Sequence, residues 1–165
     1  MISLRQSPGP WQGPPARATG PSTLRLARAW LGEPLGIESP PRGRDLQGIH
    51  PGGSNRLLAP RAVCRFGRMI DAGGMLDGRR VVAESWIATS WQPRPASRWT
   101  GHRYGHGWFM TETGGHPHYY GWGYGGQMLH VVPALDLTSD PTVRSREAGY
   151  MAGVRALVAA AVAEG

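Results

Sequence analysis

The chain has 165 residues, 40% of them hydrophobic and 18% charged, enough for one globular domain with its own core and too apolar for a disordered chain. Its formal charge is +7, and all 18 basic residues are arginines scattered from Arg5 to Arg155, with only Arg79 and Arg80 adjacent. That scatter argues against a nucleic-acid face, which needs basic residues clustered among stacking aromatics. The single cysteine, Cys64, excludes an internal disulfide framework, and no stretch is apolar for long enough to span a membrane.

Residues 1–21 are rich in Pro, Gly and Gln without periodicity, and read as an irregular leader. They hold no apolar core of a signal peptide, and the sequence assigns no compartment. Ser22 then suits an N-cap. Leu24, Ala27 and Leu31 follow at helical spacing, so a short helix is expected over Thr23–Leu31, ended by Gly32 and Pro34. Residues 38–55 read as loop, with Asp45 and His50 isolated in it. The clearest helix lies within residues 57–74. Pro60 fits its first turn, and Val63, Phe66, Gly67 and Ile70 fall on one face. Arg61, Arg65 and Arg68 fall on the other, Cys64 is expected as a small core residue, and Gly73-Gly74 supplies the C-cap. Ala59 stands in the cap position without a capping oxygen, at a cost of about 1 kcal/mol. Asp77-Gly78 is a turn. Val81–Trp91 reads as a second short helix with Trp86 and Ile87 inward, and residues 92–103 as loop.

The stretch Tyr104 to Pro133 predicts a sheet. Tyr104–Met110 and Gln127–Val132 read as strands and His118–Trp122 as a shorter one, with Gly114-Gly115 as a tight connection. Glycines at Gly123, Gly125 and Gly126 remove side chains where a strand begins, which often marks close approach of a ligand or a backbone. A final helix is expected over Arg146–Ala163, with Tyr150, Met151, Val154, Leu157, Val158, Ala161 and Val162 as one apolar face in need of cover. The fold class is therefore α+β, an antiparallel sheet with packed helices.

Several of these segments resemble, in order, the C-terminal part of the beta-lactamase-related serine hydrolases: class C beta-lactamases, related esterases and DD-peptidases. They are E-P-L-G-I at 33–37, P-R-A-V-C-R-F-G at 60–67, E-S-W-I at 84–87, Y-G-H-G-W at 104–108 and V-V-P-A-L-D-L at 131–137. The resemblance implies a partial beta-lactamase/transpeptidase-like fold over 22–165, closed by a helix packed across the sheet. It also implies a parent activity of ester or amide hydrolysis through an acyl-serine. That chemistry needs a serine that passes its proton to a neighbour while attacking, and preplaced N–H donors for the oxyanion. The family supplies them from a Ser-x-x-Lys helix, a Tyr-x-Asn-like loop and a Lys-Thr-Gly-like strand.

No lysine occurs anywhere in this chain. The Tyr-x-Asn loop is missing, and Gly52-Gly53-Ser54-Asn55-Arg56 lacks the last glycine of a G-x-S-x-G elbow. Both missing motifs precede the E-P-L-G helix in the family, so the chain is expected to begin beyond them and to be inactive alone. Only the third motif matches. Tyr124-Gly125-Gly126 stands at the Lys-Thr-Gly position, with the Gln127 N–H as an oxyanion donor. These four residues are the expected pocket remnant, with no catalytic residue beside them. The β-branched residues usual before T-S-D are absent after Leu137, so a short final strand is expected. His102 and His106, or His116 and His118, lack the further ligands that a metal site needs, so no metal and no cofactor are expected. The expected partners are a small ester, amide or peptidic ligand and a complementing half that carries the missing motifs. Trp108, Tyr119, Tyr120 and Trp122 suit either an aromatic pocket wall or core packing. Two alternatives remain open: a non-catalytic ligand- or peptide-binding module, and a basic nucleic-acid binder.

Overall fold

The computed structural model describes residues 23–38, 58–94, 97, 100–123 and 127–139, together with helical positions Gly153, Ala156, Leu157, Ala159, Ala160, Ala161 and Ala163. The leader, Asp45, His50 and most of the C-terminal segment lie outside the described residues.

The first helix, α1, is continuous but made of three pieces: α-helical Thr23–Ala27, π-helical Arg28–Gly32 and α-helical Glu33–Leu35. It runs past Gly32 and through Pro34, where the sequence pattern predicts a stop. Proline has no N–H, and its ring would meet the carbonyl four residues back in an α register. Widening the preceding turn, with the Glu33 N–H donating to the Arg28 carbonyl, lets the chain pass. The true end is Gly36 in the left-handed conformation at φ 60°, with the Ile37 N–H donating to the Gly32 carbonyl at 2.8 Å.

α2 spans Pro60–Asp71 and starts without a side-chain cap, as Ala59 requires. Val63, Gly67, Met69 and Ile70 are buried, whereas Phe66 and Cys64 are half-buried. Arg61, Arg65 and Arg68 are exposed, and Arg65 pairs with Asp77 at the surface. Strands β1 (Met75–Leu76) and β2 (Arg79–Arg80) form a small hairpin around Asp77-Gly78, both at positive φ. α3 is shorter than its sequence pattern, Glu84–Ser90. Ile87 points into the core as expected, but Trp86 is 53% exposed rather than inward.

The main sheet is antiparallel and its strand order follows the chain: β3 (Arg103–Gly105), β4 (Trp108–Thr113), β5 (His116–Trp122), β6 (Met128–Val132) and β7 (Leu137–Ser139). The expected single strand Tyr104–Met110 is two strands. Gly105 pairs with Trp108 across a two-residue turn, His106-Gly107, both at positive φ. That is the hairpin geometry whose twist matches the flanking strands. Gly114-Gly115 makes the same kind of turn between β4 and β5, as predicted. A 3₁₀ turn at Pro133–Leu135 and left-handed Asp136 reverse the chain into the short β7.

Pairing places Met110, Tyr119, Val131 and Thr138 in one row on one face, and Phe109, Tyr120, His130 and Ser139 in a row on the other. α2 packs on the first face, where Leu129 and Val131 join Leu35, Val63, Met69, Ile70, Ile87, Trp108 and Met110 in the core. The approach is close: a Cβ on Gly67 would lie 2.4 Å from Thr138 Cγ2 and 2.8 Å from Leu129 Cδ1. Trp91 stacks on Tyr119 with ring centroids 4.0 Å apart. Every residue of β6 is buried, so this strand is covered on both faces. In the C-terminal segment Leu157 is 67% exposed, so the one large apolar residue described on that predicted face is uncovered.

Candidate functional site

The predicted pocket remnant is described only at its end. Tyr124, Gly125 and Gly126 lie outside the described residues. Gln127 leads into β6, and its carbonyl accepts from the Gly123 N–H at 2.8 Å. Its side-chain Oε1 is buried and has no hydrogen-bond partner.

The polar centre that the structure does show lies on the second face of the sheet. Strand alternation puts Thr113, His116, His118, Tyr120 and His130 on that face. Thr113 Oγ1 is 2.9 Å from His118 Nδ1, and His118 Nε2 is 2.9 Å from His130 Nδ1. Tyr120 is stacked on His130 with centroids 5.8 Å apart and tilted against His118, and its hydroxyl meets His102 Nδ1 at 2.7 Å. His118 and His130 are fully buried, and His130 Nε2 has no partner. Burial first, and the neighbouring His118 second, lower the His130 pKa to about 3, so the ring is neutral at neutral pH.

A hydroxyl, an imidazole and a second imidazole in series have the composition of a proton relay. The chain is nonetheless closed to substrate, because Thr113 is 7% exposed and both histidines 0%. Ser139 stands opposite His130 in the register, yet its side chain does not reach the unpartnered His130 Nε2. Ser90 Oγ donates to the Ile87 carbonyl. Ser90 is thus held by a carbonyl and not by a base. No group of three or more His, Cys, Asp or Glu is placed to hold a metal ion among the described residues. His102, His106 and His118 bond instead to Tyr120, Arg94 and Thr113–His130.

Two further features were not singled out by sequence reasoning. Asp71, at the end of α2, faces Asp136. Burial first, then a hydrogen bond and repulsion from Asp136, raise its pKa to about 6. Between α1, α2, α3 and the His106-Gly107 turn lies an open apolar groove of about 570 Å³, with Trp30, Trp86 and Trp108 among its walls. Of the four aromatics considered as a pocket wall, only Trp108 lines this groove. Tyr119 and Tyr120 pack against the core and the histidine pair, and Trp122 is 41% exposed beside Phe109. The missed signals were local. His130 is the one polar residue in an otherwise apolar five-residue strand, and Trp30 falls off the apolar stripe of its helix.

No family model matches the sequence, and a search of curated proteins finds no match. Among solved structures, the crystal structure of a novel penicillin-binding protein homolog from Caulobacter crescentus superposes with a TM-score of 0.59 at 16% identity, over 74% of this chain and 47% of that one. The chain thus has an α+β fold like part of that penicillin-binding protein homolog, and it spans about half the length of the structure it matches.

Proposed function

We propose that this chain is the sheet-bearing part of a beta-lactamase-related serine hydrolase fold, and that its own residues supply a pocket strand but no activated nucleophile. The fold match to the penicillin-binding protein homolog carries this reading. The order of the E-P-L-G, R-F-G, E-S-W-I and glycine-rich segments along the chain supports it. The parent reaction is ester or amide hydrolysis through an acyl-serine. Tyr124–Gln127 would edge the acyl pocket, and a complementing segment bearing Ser-x-x-Lys and Tyr-x-Asn would bring the serine and its base. Without a lysine in the chain, and with Ser90 tied to a carbonyl, this set of residues has no lysine-activated serine.

The test is hydrolysis of nitrocefin and p-nitrophenyl acetate by the purified chain, with a fluorophosphonate probe alongside. No turnover and no labelled serine are expected. Turnover with serine labelling would overturn the reading, and Ser54, outside the described residues, is the first position to map.

A further inference from the structure

The apolar groove is open where the rest of the core is closed. Phe66, Ile87 and Trp108 form part of its lining, while Trp30 of α1 and Trp86 of α3 stand at 58% and 53% exposure. Two large indoles left in water in the lining of one depression are unusual for a well-packed domain and typical of a binding surface. Among the described residues, none of the lining side chains is acidic.

The rim adds charge. His106, itself part of the lining, meets Trp86 edge-on with centroids 5.3 Å apart. Arg94 Nη2 lies 3.0 Å from His106 Nε2. A guanidinium has donors only, so in this contact His106 Nε2 is the acceptor. Both residues are anchored. His106 sits in the two-residue turn at φ 43°, and the Arg94 N–H donates to the Tyr104 carbonyl at 2.8 Å. The groove therefore combines indole walls with an exposed guanidinium bonded to one of its lining residues, and among the described residues no carboxylate lines it.

We propose that this groove binds a flat aromatic carboxylate, its ring system against the indoles of Trp30 and Trp86 and its carboxylate on Arg94. The apolar body would gain from removing indole and aryl surface from water. The anion would gain a charge-assisted hydrogen bond from a guanidinium, whose planar fork suits a carboxylate. The proposal does not rest on the hydrolase reading.

The experiment is calorimetric titration of the full chain with 2-naphthaleneacetate and, separately, with its neutral amide at pH 7.5. The acid is expected to bind once per chain, about fivefold tighter than the amide, a difference of about 1 kcal/mol. Arg94→Gln should bring the acid to the level of the amide and leave the amide unchanged. Trp86→Ala, at an exposed position, should weaken both. Equal affinity of acid and amide for the unmodified chain would overturn the proposal and leave the groove as an apolar surface for a protein partner. A difference that survives Arg94→Gln, or no saturable binding of the acid up to about 5 mM, would also overturn it.

Discussion

Acid should unfold this protein through His130. The ring is fully buried, shares one hydrogen bond with His118 and leaves Nε2 without a partner. Its pKa falls from 6.5 to about 3 on folding. The unfolded chain therefore binds a proton at this position more readily than the folded one. The contribution of the neutral ring is complete above pH 6.5 and is lost as pH falls toward 3. At about 1.4 kcal/mol per pH unit, lowering the pH from 7.5 to 5.0 removes roughly 2 kcal/mol through this one group. Urea unfolding of the intact chain at the two pH values, followed by tryptophan fluorescence, measures that loss. His130→Gln replaces the titrating ring with an amide that can still meet His118. Its absolute stability will differ, so the quantity to read is the change between pH 7.5 and 5.0, which should shrink by roughly 2 kcal/mol. If His130→Gln loses as much stability over this interval as the parent chain, His130 is not the acid-sensitive group and the account of the second face is wrong.

The Asp71–Asp136 pair acts in the opposite direction. Because the Asp71 carboxyl is raised to about 6, its contribution is largest below pH 3.8 and declines as pH rises through 6. Asp71→Asn should accordingly raise the urea midpoint at pH 7.5 and leave it nearly unchanged at pH 3.5; a lower midpoint at pH 7.5 would contradict this. Gly67→Ala adds a Cβ 2.4 Å from Thr138 Cγ2. Overpacking of about 1–3 kcal/mol should exceed the gain of about 1 kcal/mol in helix propensity. Adding Thr138→Ser, which removes that methyl, should restore part of the loss in a double-mutant cycle.

Helices and turns with strong local signals were legible in the sequence. α2 follows its i, i+3, i+4, i+7 pattern, and Gly114-Gly115 makes the turn its composition demands. The errors have physical causes. Tyr104–Met110 looks like one strand because a histidine is not an obvious residue for a left-handed position, yet His106 takes one beside Gly107. Pro34 looks like a helix stop because a proline normally costs a hydrogen bond and a clash, and the π turn ahead of it avoids the clash. Trp86 looks like a core residue by size and spacing, whereas Ile87 fills the interior and leaves the indole outside. The histidine pair was hidden because His118 and His130 lie on different strands, and only the Tyr120–His130 register brings them to one face. The absence of lysine was plain from composition alone and still sets the limit on chemistry.

The strand order β3-β4-β5-β6-β7 repeats the order along the chain, and this bears on how the molecule forms in time. Each strand finds its template in the one just before it, across turns as short as two residues, so little loop-closure entropy stands against zipping the ladder. α2 is different: residues 60–71 must reach forward to strands at 128–139. Docking of that helix is the long-range event, and the tight fit of Gly67 against Leu129 and Thr138 is reached only once the ladder exists. A flaw at this seam therefore falls chiefly on the lifetime of the folded state, while the speed of assembly is set in the hairpins.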